Sequence, residues 1–309
     1  MSKVAIVGAG LIGRSWSIVF ARAGFAVSLW DPVSQAGPAA LAYIAERLPE
    51  LREAGLLDEA PETVLARIHP AGTLAEAVAD AEHVQENGPE RIADKQAIFA
   101  ALDRTASPHT VFASSSSGIP ASAFTEELAG RGRCLIAHPV NPPYLVPIVE
   151  ICPAPWTDPN AVERTRSLMR RAGQVPATIA KEVQGFALNR LQGALLAEAF
   201  RLVADGVITP ADLDATVKHG LGLRWSFMGP FETIDLNAPG GLIDYCERYG
   251  PLFADMQRQM KPRKWTPKLI AALEEARREE LPRNLHGVRQ EWRDRQLMAL
   301  LAHKKSQPE

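Results

Sequence analysis

The stretch Val4-Ala5-Ile6-Val7-Gly8-Ala9-Gly10-Leu11-Ile12-Gly13 decides the fold. Its four consecutive apolar residues are too few for a helix and read as a strand buried on both faces. The run leads into glycines spaced G-x-G-x-x-G, and residues 11–23 then carry a helical pattern. A turn between a parallel strand and a helix gives each glycine a task. Gly8 permits the tight turn, Gly10 lets a pyrophosphate approach the backbone, and Gly13 lets the helix pack closely on the strand. The amides at the helix start, with Leu11 and Ile12 at its head, then face the phosphates, where unpaired N–H groups and the helix dipole favour an anion. Asp31 ends the next apolar run, 18 residues beyond Gly13, where a carboxylate can accept hydrogen bonds from an adenosine ribose. It would repel a 2′-phosphate, and Pro32 and Val33 follow it with no adjacent arginine, so the expected cofactor is NAD rather than NADP.

Working outward, short β-rich runs recur at Ala26–Trp30 and at residues 83–85, 111–113 and 135–137, separated by helical stretches. This alternation predicts an α/β fold, a Rossmann-type doubly wound, mostly parallel sheet with helices on both faces. Between Val33 and His69 a Pro-punctuated helical insertion is expected to project from the sheet as a helical pair. From Gln184 onward the strand pattern disappears, and a Leu- and Ala-rich helix runs to Gly206, followed by Thr209-Pro210 as the cap and first position of another. The reading is therefore two domains, a nucleotide-binding domain over residues 1–185 and an all-helical domain over 186–309. No self-similarity at 20 to 50 residues points to a solenoid.

Composition narrows the partners. The 309 residues are 46% hydrophobic and 23% charged, ordinary for a globular chain. Lys and Arg total 34 against 36 Asp and Glu, so no basic footprint argues for nucleic acid or an acidic membrane surface. No run approaches the length of a membrane span, and the start lacks a signal-peptide pattern, so the expectation is a cytoplasmic protein with a small-molecule substrate. Cys134, Cys152 and Cys246 lack metal or redox spacing and read as reduced packing residues.

Two motifs suggest chemistry. In Val111-Phe112-Ala113-Ser114-Ser115-Ser116-Ser117-Gly118, hydroxyls begin where a strand ends, the place where open α/β sheets gather ligands, although a serine run also suits a solvated turn. In Leu135-Ile136-Ala137-His138-Pro139-Val140-Asn141-Pro142-Pro143 a histidine closes an apolar strand, and Glu150 lies 12 residues on, among Pro147-Ile148-Val149 and Ile151. A carboxylate in that setting needs a partner, and His138 can be it. The pair is either structural or an oriented base, with one ring nitrogen fixed and the other open to a proton. Asn189, in Gly185-Phe186-Ala187-Leu188-Asn189-Arg190, can bond to backbone or project into an inter-domain cleft.

The set GAGLIG, ASSSSG, AHPVNPP, PIVEI, GFALNR and MGPFE, in this order, resembles the 3-hydroxyacyl-CoA dehydrogenase family across nearly the whole chain. Within it, SSSSG, AHPVNPPY, NRLQ, GLGLRW and Glu291-Trp292-Arg293-Asp294 resemble the lambda-crystallin, or L-gulonate 3-dehydrogenase, branch. The resemblance implies His138 as catalytic base, Glu150 as its orienting partner, and Ser117 and Asn189 as hydrogen-bonding groups at the substrate oxygen. It also implies cofactor contacts from Ser117, from Asn141 by the nicotinamide, and from Glu90 and Lys95, with Glu86 competing for the acid's place. The family's Asn-Thr before the active serine is Ser115-Ser116 here, so Ser117 is assigned by spacing.

The resemblance implies oxidation of a 3-hydroxyl to a ketone with NAD. Acyl-CoA members reach MGPFE through a shorter segment, whereas this chain carries Arg224, whose planar fork suits the free carboxylate of a small hydroxy acid and also suits an interface ion pair. An acyl-CoA substrate, or carnitine facing Trp225 through its quaternary ammonium, is the alternative. A reading of another class is a non-catalytic, NAD-binding crystallin-like protein. The resemblance further implies a homodimer through the helical domain, whose Leu195, Leu196, Phe200 and Leu202 spread apolar surface over more than one helix side.

Overall fold

The computed structural model describes residues 2–307. Eight strands form one sheet: β1 (Lys3–Val7), β2 (Ala26–Trp30), β3 (Ile68–Pro70), β4 (His83–Glu86), β5 (Val111–Ser114), β6 (Cys134–Pro139), β7 (Ile148–Pro153) and β8 (Val175–Thr178). Their order is β3-β2-β1-β4-β5-β6-β7-β8. All neighbours are parallel except β6 and β7. The order reverses between β1 and β4, and ligands of doubly wound sheets bind at the carboxyl ends beside such a switch.

Helices α1 (Leu11–Arg22), α2 (Ala36–Glu53), α3 (Pro61–Leu65), α4 (Leu74–Val78), α5 (Ile92–Thr105), α6 (Ser122–Thr125) and α7 (Pro159–Arg171) join the strands. Strand alternation divides the core. Val4 and Ile6 point to one face, with Trp16 and Phe20 of α1, Ile44 and Leu48 of α2, and Leu168 of α7. Ala5 and Val7 point to the other, with Val78 of α4, Phe99 of α5 and Phe124 of α6. The insertion is thus helical but does not project: Ala40, Ile44, Leu48 and Leu51 of α2 are buried in the first of these clusters. Its apolar residues fall at helical spacing on one stripe, which stays out of water only by lying against α1.

Helices α8 (Leu188–Ala204), α9 (Pro210–Thr216), α10 (Gly222–Trp225), α11 (Pro230–Asp235), α12 (Gly241–Gln259), α13 (Pro267–Glu280) and α14 (His286–Lys305) follow. Gly206 takes φ 69° after α8, and the Thr209 hydroxyl caps α9 by accepting the Asp212 amide at 3.1 Å. Two compact units emerge, one of residues 1–190 with 290–309 and one of 191–289. The division differs from 1–185 and 186–309 chiefly at the end of the chain. Most of α14 belongs with the sheet, because Met298 is buried in its core and Lys305 pairs with Asp58 at 3.2 Å.

The regular elements of the unit 191–289 are all helices. Phe200 stacks on Trp265 with centroids 4.2 Å apart, yet Leu195, Leu196, Phe231, Ile243 and Phe253 are exposed. Cys134 and Cys152 are buried as packing residues; Cys246 is exposed and corrects that expectation. No helix among the described residues is long and apolar enough to cross a membrane.

Candidate active site

The glycine turn has the geometry a dinucleotide needs. Gly8 has φ 95°, and a Cβ on Gly13 would lie 1.8 Å from the Gly8 carbonyl oxygen, so neither position admits another residue without rearrangement. A Cβ on Gly10 would meet nothing within 4 Å, leaving the backbone open at the head of α1, whose Leu11 and Ile12 amides begin the helix. Asp31 follows β2, its Oδ2 accepting the Ala9 amide and its Oδ1 the Val33 amide, both at 2.8 Å. These bonds fix the carboxylate beside the turn, and each oxygen keeps a lone pair for a ribose hydroxyl. The residues present therefore fit NAD.

The acid and lysine after β4 separate into two roles. Lys95 is buried, with Nζ 2.9 and 2.8 Å from the Glu86 oxygens and 3.1 Å from the Gly88 carbonyl. Three acceptors match its three N–H groups, so the ammonium ties Glu86 to the loop. Glu86 is fully buried and also accepts from the Ser114 hydroxyl at 2.6 Å, so it belongs to this internal pair. Glu90 is the acid that reaches the serine loop: its Oε1 accepts from the Ser116 hydroxyl at 2.7 Å and from the Ser117 and Gly118 amides at 3.0 Å each. Burial raises its pKa, but these bonds and the Lys95 charge outweigh that and hold it below the usual carboxylate value.

The four serines are now distinguishable. Ser114 binds Glu86; Ser115 accepts from Trp16 Nε1 at 3.1 Å and Gln85 Nε2 at 2.8 Å and donates to Asn87 Oδ1; Ser116 binds Glu90. Ser117 is exposed, and its hydroxyl makes only a long bond of 3.5 Å to Glu90 Oε1, the weakest hold on any of the four. Asn189 Nδ2 donates to the Ser117 carbonyl at 2.7 Å, which brings Asn189 to this loop.

His138 and Glu150 stand directly opposite each other in the antiparallel β6–β7 ladder, where facing side chains meet. His138 Nδ1 lies 2.9 Å from Glu150 Oε2, and both residues are buried. Glu150 Oε1 accepts the Ala187 and Leu188 amides at 2.9 Å each, at the start of α8. Burial pushes this carboxyl up, but the imidazole and the two amides prevail and keep it ionised below its usual value. The anion fixes the hydrogen on Nδ1, and Nε2 has no hydrogen-bond partner among the described residues. An oriented imidazole of this kind can take up and return a proton.

Asn141 is exposed just beyond β6. Its loop is anchored by Tyr144, which is buried, meets the Tyr43 hydroxyl at 3.0 Å and takes the Arg22 guanidinium on its carbonyl at 2.8 Å. Arg224 lies in α10, half-buried, and its guanidinium has no hydrogen bond or ion pair among the described residues. Sequence reading missed a buried network under α1, in which His83 Nε2 meets Gln85 Oε1 at 3.1 Å and Gln85 Nε2 reaches Ser115 and, at 3.1 Å, the Ala137 carbonyl. Its signal was present: His83, Gln85 and Asn87 put three polar side chains at strand period along a central strand and its end.

Residues 3–183 match the family described as 3-hydroxyacyl-CoA dehydrogenase, NAD binding domain, and residues 185–280 match its C-terminal domain. The chain is 44% identical over 314 residues to the lambda-crystallin homolog of Bos taurus, covering 99% of this chain and 97% of that protein. It is 41% identical over 250 residues to the L-carnitine dehydrogenase of Streptomyces griseus, covering 81% of this chain and 74% of the other. Among solved structures it is similar to an NAD⁺-dependent dismutase, 5-formyl-3-hydroxy-2-methylpyridine 4-carboxylic acid 5-dehydrogenase, with TM-score 0.86 and 25% identity over 100% of both chains. With both domains matched and the glycine turn built for a dinucleotide, the chain belongs to the 3-hydroxyacyl-CoA dehydrogenase family, as an NAD(H)-using dehydrogenase of CH–OH groups that is similar to lambda-crystallins.

Proposed function

We propose that the protein oxidises the 3-hydroxyl of a small free hydroxy acid of the L-gulonate type to the 3-keto acid, with NAD preferred over NADP. The observation that carries the reading is the buried His138–Glu150 pair with Nε2 open. NAD, held by Gly8, Gly10, Gly13, the Leu11 and Ile12 amides and Asp31, supplies the hydride acceptor when bound. His138 Nε2 takes the hydroxyl proton, and Glu150 stabilises the imidazolium that forms; in reduction the same imidazolium returns the proton. The Ser117 hydroxyl and Asn189 hydrogen-bond the substrate oxygen. Glu90 fixes the Ser117 loop, and Asn141 would contact the nicotinamide of bound NAD.

The free-acid assignment rests on Arg224, an uncommitted guanidinium of the kind that grips a carboxylate through two parallel bonds. A thioester lacks that anion. The exposed Trp225 beside it favours carnitine as a second reading, since an indole face attracts a quaternary ammonium and one relative is an L-carnitine dehydrogenase. The test is turnover of L-gulonate, 3-hydroxybutyrate, L-carnitine and 3-hydroxybutyryl-CoA with NAD⁺ and NADP⁺. The expected result is that free hydroxy acids are preferred and that Arg224→Met raises their KM by about tenfold or more. Superior turnover of the thioester, or an unchanged KM, would overturn the assignment; activity with carnitine alone selects the second reading, and no turnover with intact NADH binding selects a non-catalytic role.

The exposed apolar side chains of residues 191–289 support a homodimer formed through that unit. Sedimentation equilibrium should give twice 33.6 kDa, and a single-chain mass would dismiss the dimer.

A further inference from the structure

Gly185 and Phe186 are consecutive residues in the left-handed region, with φ 77° and 51°. For glycine this is unstrained; for phenylalanine it is uncommon and unfavourable. The turn is closed by the Phe186 amide on the Val183 carbonyl at 3.0 Å, and the next two amides, Ala187 and Leu188, both reach Glu150 Oε1. A strained residue persists only where its surroundings over-determine it. Here the Phe186 ring is fully buried in the cluster that holds Phe112, Ile136 and Ala154, with its centroid 5.5 Å from that of His138. With two amides on one oxygen and Nδ1 on the other, the carboxylate has no freedom to turn away.

We propose that Phe186 is a positioning residue for the catalytic pair: its left-handed backbone, which the buried ring sustains against the strain that any side chain meets there, aims two backbone amides at Glu150 and thereby fixes that carboxylate against His138. The inference rests on the reading of His138 as proton acceptor and extends it to the residue that sets the pair. The deprotonated pair carries one net negative charge, which the two amides stabilise. Losing them makes the pair hold its proton more tightly, so its apparent pKa rises. Cys152 is coupled electrostatically to Glu150 and to Glu182. Burial pushes the Cys152 thiol up to about 12, aided by Glu182 and Glu150, so it stays uncharged; it shares the core cluster of Phe186, and Glu182 accepts the Ser122 amide at 3.0 Å.

The test compares Phe186→Ile, which keeps apolar bulk but is β-branched and resists positive φ, with Phe186→Gly, which accepts positive φ but has no ring. The His138 imidazole is titrated by NMR in the full-length protein, its signal assigned by its loss in His138→Gln. Phe186→Ile should raise the midpoint by about half a pH unit or more, lower kcat about tenfold and leave NADH affinity unchanged, whereas Phe186→Gly stays nearer wild type. An unmoved or lowered midpoint in Phe186→Ile, or an equal shift in Phe186→Gly, would overturn the proposal. If Phe186→Ile does not fold, Phe186→Ala against Phe186→Gly decides: neither has the ring, and equal midpoints reject the role for backbone conformation. The titration needs no substrate, so a wild type inactive on every hydroxy acid would defeat the functional reading and leave this result standing.

Discussion

A proton acceptor works when one nitrogen is committed and the other is free. His138 meets both conditions, and in the proposed reaction a base of this kind contributes about 10²- to 10⁴-fold. His138→Gln is therefore expected to lower kcat by about that range while NADH affinity, measured by fluorescence titration, stays within about twofold. A variant with near-normal turnover would remove the base assignment. Glu150 is held by hydrogen bonds from both sides, whereas the Glu86–Lys95 pair, buried to 0% and 1% side-chain exposure, is internal architecture. The resemblance that paired Glu90 with Lys95, with Glu86 competing for the acid's place, could not reveal this, because the lysine's partner depends on which acid shares its side of the chain in three dimensions. A similar balance holds Phe186: a left-handed non-glycine costs roughly 1–2 kcal/mol, while full burial of a phenylalanine ring contributes about 2–3 kcal/mol, so packing wins.

Elements place these residues by register. The antiparallel turn from β6 to β7 sets His138 opposite Glu150, and a slip of one residue would send every side chain of β7 to the other face. Alternating strand and helix patterns made β1, β2, β4, β5 and β6 legible. The short edge strand β3 and the Pro-containing β8, with its exposed ends, lack the apolar runs by which central strands are recognised. The polar pattern after residue 280 gave no sign that α14 serves the sheet unit. Its only fully buried residue, Met298, enters the core at 3% exposure. Met298→Ala should lower the unfolding free energy by about 2–5 kcal/mol in urea denaturation, as removal of a buried long apolar side chain does. A loss below about 0.5 kcal/mol would mean that α14 contributes little to that unit's stability.

For the whole molecule, stability against acid carries a histidine signature. Burial lowers the His83 pKa from 6.5 to about 4, and the Arg164 charge adds to this against the opposing effect of the hydrogen bond that His83 donates to Gln85. Since Gln85 Nε2 already donates twice, its Oε1 accepts the His83 Nε2–H, so the ring sits neutral in the core. Between these two values the unfolded chain binds the extra proton, so stability is full above about pH 6.5 and falls as pH drops towards 4, by roughly 3 kcal/mol in all. Glu90 and Glu150, held below the usual carboxylate value, lose their contribution only at lower pH, which separates the two effects. Urea denaturation from pH 7.5 to 4.5 should show this decline in wild type and a flatter profile in His83→Gln; parallel profiles would contradict it.

The sequence by itself determined the nucleotide turn, the doubly wound class, the change to helices near residue 185 and the identity of the histidine and its acid, because glycine spacing, strand alternation and an acid among apolar residues are local signals with few physical explanations. Tertiary structure alone decided which of four serines is exposed and only weakly held, which glutamate faces Lys95, and where the last helix packs. Those outcomes depend on competition among equivalent groups for buried partners, which is settled by which side chains the sheet brings together and not by their distance along the chain.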